Sequence, residues 1–258
     1  MKRIFRESDL RDIVGMPYVA MLDLWTALSL EKIGVPIEIL VLDRREHPKF
    51  KTFNGLLNTA LPEVINEEIK LIVYLETINP IDYQLMTHEI GHWILNLRGF
   101  KTICIKEDLF IGSLINSLAQ HRPLYELQCS LSIDPQKSID YRATEYVLLF
   151  SDPDNSADHR SSMADALMLS DILLSCSPLI RLKLTETVAR NCSLTKKYTD
   201  IIMETASYYN LIDQENNLKF IKMLIKNLKL KQIWNIVNDS YELKSLSQEI
   251  CVTLKNQK

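Results

Sequence analysis

Residues 81–99 of the chain have the sequence IDYQLMTHEIGHWILNLRG, with the pattern His88-Glu89-Ile90-Gly91-His92 at its centre. Side chains four residues apart lie on the same face of an α-helix, so the two imidazoles can bind one cation. Glu89, between them, places a carboxylate beside that cation. Two histidines and a glutamate in this spacing are typical of zinc hydrolases.

The residues around this pattern predict a helix. Asn79 can cap it, Pro80 suits its first position, Asp82 places negative charge in the first turn, and Gly99 offers a left-handed end. Apolar residues follow the helical period on both sides, so the helix is expected to be buried nearly all round. A buried ring nitrogen needs a partner, and one shared metal ion would satisfy both histidines.

Composition limits the class of protein. With 258 residues and 47% hydrophobic residues, the chain can form a full core in one large domain or two smaller ones. A net charge of -3 gives no overall attraction to nucleic acid or anionic membranes, although it is compatible with a local basic face, and we do not expect nucleic acid as a partner. Five dispersed cysteines, no apolar signal segment and no apolar run long enough to span a bilayer predict a cytoplasmic protein.

The fold class follows from the change of period along the chain. Residues 16–33 have a helical pattern, whereas 35–42 and 69–76 alternate as strands do, with a loop or hairpin between them. From Lys101 onward the patterns are helical. We therefore predict an α+β, mostly helical fold: a small β-sheet packed on the motif helix, followed by an all-helical C-terminal part.

Helix breaks in the second half predict the domain organisation. Breaks are expected at 121–123, at 134–135 and at 151–156, and the last combines turn-forming residues with a lack of apolar ones. The break at 151–156 therefore separates a predicted domain that contains the motif helix, 1–150, from a predicted helical domain, 157–258.

Residues 35–100 resemble the core of a zincin metallopeptidase, most closely of the ImmA/IrrE type, on the segment Thr87-His88-Glu89-Ile90-Gly91-His92-Trp93. The resemblance implies that His88 and His92 bind Zn²⁺, that Glu89 activates a bound water, and that an acidic or histidine side chain on a later helix completes the site. It also implies that strand 69–76, if it edges the cleft, pairs with an extended peptide. The extended metzincin signature is absent.

The third metal ligand is open at this stage. His121 lies on the apolar stripe of a predicted helix and would be carried toward the core; alternatively it caps the end of that helix before Pro123. Glu126 is the second candidate, and its alternative role is an acid in a first helical turn. Asp140 and Glu145 come third, with helix capping as the simpler explanation.

Other polar residues have weaker claims. Tyr125 and Tyr141 are candidates for stabilising an oxyanion, against the common role of a packed tyrosine. His47 and His159 lie in polar segments where solvent exposure is expected. Residues 218–234 form a predicted amphipathic helix with a lysine-rich side, which is usually a solvated face and is otherwise a contact for a membrane surface or nucleic acid.

Two functions from different classes follow. The first is a zinc-dependent metallopeptidase that hydrolyses a peptide bond in a cytoplasmic protein through a water activated by Glu89. The second is an interaction or regulatory module, derived from a zincin, in which the helical C-terminal part recognises a protein partner. The intact Glu89 favours the first, since a structural zinc site gains nothing from that carboxylate.

Overall fold

The computed structural model describes residues 4–46, 59–78, 80–106, 108–151, 158–230, 234–237 and 243. The chain divides into two compact units, and the division falls within one helix. The first unit comprises the described residues of Met1–Gly99, Leu127–Ile133 and Asn238–Lys258; the second comprises those of Phe100–Glu126 and Asp134–Val237. The predicted fold class, α+β and mostly helical, is confirmed.

The first unit contains a four-stranded mixed sheet. Its strands in chain order are β1 (Phe5–Arg6), β2 (Glu38–Asp43), β3 (Thr59–Ile65) and β4 (Glu68–Leu75), and their order across the sheet is β1-β2-β4-β3. β2 and β4 are parallel, whereas β1 with β2 and β3 with β4 are antiparallel. β3 and β4 form a hairpin whose turn residues, Asn66 and Glu67, both have positive φ, as a tight hairpin turn requires.

The sheet confirms two predicted strands with shifted ends and corrects one inference. Strand 35–42 is β2, which begins three residues later, and strand 69–76 is β4. β4 lies between β2 and β3, so the condition for its pairing with a peptide, a position at the edge, is not met. β3, which the sequence did not reveal, occupies the end of the sheet; it contains Pro62, a residue that edge strands tolerate because it lacks an N–H.

Helices α1 (Glu7–Ile13), α2 (Met16–Ile33) and α3 (Tyr83–Arg98) complete the first unit's main elements, with a 3₁₀ turn at Arg44–Glu46. α2 agrees with its predicted bounds and ends at Gly34, whose φ of 94° only glycine adopts readily. Trp25 of α2 is fully buried, and its indole N–H donates to the carbonyl of Ile37 at 2.6 Å. This bond fixes α2 against the start of β2.

The motif helix α3 begins later than predicted. Asp82 is its N-cap, not a first-turn residue, and its carboxylate accepts from the backbone N–H of Leu85 at 2.9 Å. Pro80 therefore precedes the helix, and Asn79 lies outside the described residues. The predicted end holds, since Gly99 has a φ of 105°. On the sheet side, the indole N–H of Trp93 donates to the carbonyl of Ala60 in β3 at 2.8 Å, which holds α3 beside that strand.

The second unit is built mainly of helices around two apolar cores. Its elements are β5 (Thr102–Ile105), α4 (Leu109–Ser130), α5 (Gln136–Leu149), α6 (His159–Leu173), α7 (Pro178–Asn191), α8 (Ser193–Ser207), α9 (Gln214–Asn227) and β6 (Trp234–Val237). The last four residues of α4 belong to the first unit.

The predicted helix break at 121–123 is wrong, because α4 continues through Pro123. Proline lacks the N–H that would bond to the carbonyl four residues earlier, which is that of Ala119. The side-chain amide of Asn217, a buried residue of α9, donates to this carbonyl at 2.6 Å instead. A tertiary contact thus replaces the missing helical bond, and local sequence could not reveal it.

The second half of the chain, which was predicted to be all helical, also contains two short strands. β5 and β6 pair antiparallel, with Ile103 opposite Ile236, and the predicted helix 218–234 ends at Asn227. Its lysine face remains, opposite a packed face containing Phe220, Ile221 and Leu224. The break at 134–135 is confirmed, since α4 and α5 are separated there.

The predicted domains, 1–150 and 157–258, stay a prediction. Residues 152–157, which contain most of the proposed boundary, lie outside the described residues, and residues 134–150 pack within the second unit. Among the described residues, no helix combines the length and apolar character needed to cross a bilayer.

Candidate metal centre

The less buried stripe of α3 carries the paired histidines. Met86, Ile90, Trp93, Ile94 and Leu97 are buried in the core of the first unit, which holds the helix in one rotation about its axis. His88, Glu89 and His92 are only partly buried. Their stripe is therefore less buried than the face of α3 that packs in this core.

The two imidazoles on this stripe lie next to each other. The ring centroids of His88 and His92 are 5.0 Å apart and the rings are nearly perpendicular, at 85°. This is the arrangement that the spacing of four residues predicts.

His121, from α4, completes a cluster of three. One ring nitrogen from each of His88, His92 and His121 lies within 4.8 Å of the other two. The three residues are therefore close enough to bind one metal ion, and His121 is buried. Because α4 continues to Ser130, the alternative that His121 caps a helix end is wrong.

A buried carboxylate holds His121. Its Nδ1 lies 2.7 Å from Oδ2 of Asp171 on α6, and both side chains are less than 10% exposed. A neutral imidazole has one N–H and one lone pair. If Nδ1 donates its proton to Asp171, the lone pair is on Nε2, which is then the ring atom available to a metal.

Two further residues enclose this pair. The ring of Tyr125 stacks on that of His121 with centroids 5.5 Å apart and an interplanar angle of 29°. The guanidinium of Arg142 lies 3.9 Å from the Asp171 carboxylate and hydrogen-bonds to Tyr125. Burial and the charge of Asp171 raise the pKa of Tyr125, so its hydroxyl stays protonated at neutral pH.

Glu89 has an unusual electrostatic environment. Burial raises the pKa of its carboxyl from 4.5 to about 8, because desolvation disfavours the charged form. A divalent cation bound by the flanking histidines would favour the carboxylate and oppose this shift. A metal bound at these histidines would therefore be linked to deprotonation of Glu89.

The other candidate ligands lie apart from the cluster. Glu126 is about half exposed and pairs with Arg122 at 3.6 Å. Asp140 accepts from the side chain of Gln136 and from the backbone N–H of Ser177, which is a structural role. Glu145 is exposed and hydrogen-bonds to Tyr141. In the described part of the chain, none of these three carboxylates belongs to the group of possible metal ligands.

The predicted tyrosine and histidine candidates also differ in whether they lie near the cluster. Tyr125 is buried against His121, whereas Tyr141 is 66% exposed. His159 is exposed as expected, although it begins α6, and its Nδ1 lies 3.0 Å from the hydroxyl of Tyr198. His47 lies outside the described residues.

The sequence analysis missed Asp171 and Arg142. They lie on α6 and α5, far along the chain from the motif, and no local pattern marks either as part of a site. The one available signal was an aspartate within an apolar helical stretch, since a buried carboxylate needs a charged or hydrogen-bonding partner.

Comparisons with protein-family models, with curated proteins and with solved structures find no match for the chain. The resemblance to zincins therefore stays a prediction from the sequence, and the structure adds the three clustered histidines.

Proposed function

We propose that the chain is a zinc-dependent metallopeptidase in which His88, His92 and His121 bind Zn²⁺ and Glu89 is the catalytic residue. The observation that carries the proposal is the convergence of three imidazole nitrogens within 4.8 Å, next to a partly buried glutamate. Catalytic zinc sites commonly have three protein ligands and leave the fourth position to water or substrate.

The donor set fits zinc. Imidazole nitrogen suits Zn, Cu, Fe and Ni, and three histidines supply the ligands of an open tetrahedral zinc site. None of the four described cysteines belongs to the cluster, so a thiolate-rich structural zinc site is not formed by the described residues. The hydrogen bond between His121 and Asp171 supports the same assignment, because metal-bound histidines usually donate their other N–H to a carboxylate or carbonyl.

Glu89 would move the proton in the reaction. When bound, Zn²⁺ supplies Lewis acidity, which lowers the pKa of a coordinated water to about 7 and polarises a substrate carbonyl. A Glu89 carboxylate oxygen accepts the proton of the attacking water and then donates it to the amine that leaves. Its place between the two histidines on α3 puts it beside both.

A peptide is the substrate that the neighbouring sheet favours. β3 ends the strand order among the described residues, and the bond from Trp93 to Ala60 holds it beside α3. An extended peptide can pair with such an edge strand through main-chain hydrogen bonds. We therefore place the substrate segment along β3, and a protein in the cytoplasm is the expected source of that segment.

The proposal is tested with the zinc-loaded chain and a peptide library prepared from cytoplasmic proteins, with cleavage read by mass spectrometry. The parental protein should cut, and a chelator should stop cutting. Glu89→Gln should retain zinc and lose cleavage by about 100-fold or more, since general acid–base catalysis contributes about 10²–10⁴-fold. Glu126→Gln, an isosteric change at an exposed glutamate, is the control and should cut at the parental rate.

Two outcomes would contradict the proposal. Equal cleavage by the parental protein and Glu89→Gln would remove Glu89 from the mechanism. Zinc binding without any cleavage would favour the alternative function, an interaction or regulatory module that recognises a protein partner.

A further inference from the structure

Asp171 lies in the second unit at a position that the proposed reaction does not use. It is 7% exposed on α6, and its Oδ2 lies 2.7 Å from Nδ1 of His121. A buried carboxylate is unfavourable unless it is paired and hydrogen-bonded. Its partners include His121 and, at 3.9 Å, the guanidinium of Arg142.

The hydrogen bond to Asp171 selects between the two tautomers of a neutral His121 imidazole. Such a ring has one N–H and one lone pair, and a carboxylate oxygen accepts. Because Oδ2 of Asp171 lies 2.7 Å from Nδ1, the selected tautomer has its proton on Nδ1 and its lone pair on Nε2. The guanidinium of Arg142 lies 3.9 Å from the same carboxylate and supplies a charge of opposite sign.

We infer that Asp171 is a positioning residue for the metal centre: it fixes the tautomer and ring orientation of His121 so that Nε2 is available to the metal. The inference rests on the proposed zinc site. Tyr125 supports the orientation from the ring face, because its stacked ring and its bond to Arg142 limit rotation of the imidazole. Partners of this kind typically change metal affinity by about 10–100-fold when they are removed.

The first experiment measures Zn²⁺ affinity by competition with a chromophoric chelator, together with the visible spectrum of the Co²⁺-substituted protein. Asp171→Asn keeps the size of the side chain and removes its charge. It should weaken Zn²⁺ binding by about 10–100-fold and alter the Co²⁺ spectrum. Asp171→Glu, which retains a carboxylate, should recover part of the affinity.

The matched control is Asp158→Asn, which removes one negative charge from the N-cap of the same helix. Asparagine caps helices as well as aspartate does, so this variant should fold and bind Zn²⁺ with parental affinity. Equal affinity in Asp171→Asn and in the parental protein would overturn the inference and leave the three-histidine site intact. A parental protein that binds neither metal would overturn the proposed site and this inference with it.

A second measurement does not depend on the folding of a variant. Histidine ¹⁵N NMR of the metal-free parental protein at pH 8 reports which ring nitrogen of each histidine carries the proton, and His121→Gln assigns the His121 signals. The Nδ1–H tautomer is expected for His121. The Nε2–H tautomer would contradict the role of Asp171.

Discussion

Replacing Asn217 tests how α4 passes through Pro123, two residues after His121. The Asn217 amide nitrogen donates to two carbonyls, that of Ala119 at 2.6 Å and that of Leu211 at 2.9 Å. Asn217 is 1% exposed, and both carbonyls belong to buried residues. Asn217→Ala therefore leaves two buried acceptors without this donor.

The expected loss of stability follows from these two bonds. Each of the two buried carbonyls left without a donor costs about 1–3 kcal/mol. The substitution also removes the Asn217 amide oxygen, which is buried without a partner among the described residues, and this gain offsets part of the combined cost of the two carbonyls. We expect Asn217→Ala to lower the free energy of unfolding by about 2–4 kcal/mol. Asn216→Ala makes the same chemical change on the same helix at a partly exposed residue and should cost less than about 1 kcal/mol.

A double-mutant cycle with Pro123→Ala isolates the contact with Ala119. Alanine restores an N–H at residue 123, which can bond to the Ala119 carbonyl in the helical pattern. In that background Asn217→Ala should cost about 1 kcal/mol less than in the parental chain. Urea unfolding followed by far-UV circular dichroism gives the four free energies. Additivity within about 0.5 kcal/mol would refute the account of how α4 tolerates its proline.

Two further predictions concern the ion pair between Asp108 and Arg160 and the third metal ligand. Asp108 caps α4 and pairs with Arg160 at 2.8 Å. The Arg160 guanidinium lowers the pKa of the Asp108 carboxyl below 3.8. The ion pair therefore stabilises the fold above pH 3.8, and this stabilisation is lost as the pH falls further. The difference in unfolding free energy between the parental chain and Asp108→Asn, which keeps a capping side chain, should therefore shrink as the pH falls below 3.8, and a pH-independent difference would be evidence against it. Metal analysis of His121→Ala should show loss of bound Zn²⁺, whereas Glu126→Ala should retain it; the reverse result would make the glutamate the third ligand.

The sequence predicted the elements whose patterns are local. The α2 helix has the predicted bounds because Pro17 near its start and Gly34 at its end are strong local signals. The motif helix was predicted with its correct end but began too early, since Asn79 and Asp82 both suit a cap and only packing decides between them.

The errors arise where distant residues replace local interactions. Pro123 predicted a break in α4, and the amide of Asn217 prevents it. β5 and β6 are four residues each and pair across more than a hundred residues, so neither shows a period long enough to detect. The paired histidines were evident from their spacing, whereas Asp171 becomes part of the centre only through folding.

Zinc binding by the purified parental chain tests the central claim most directly. Stoichiometry is measured by elemental analysis, and the ligand shell by X-ray absorption at the zinc edge. We expect one Zn²⁺ per chain with three imidazole nitrogens at about 2.0–2.1 Å and one oxygen. A chain that binds no zinc when the ion is supplied, or a shell containing two imidazoles or fewer, would contradict the assignment of His88, His92 and His121 as its ligands.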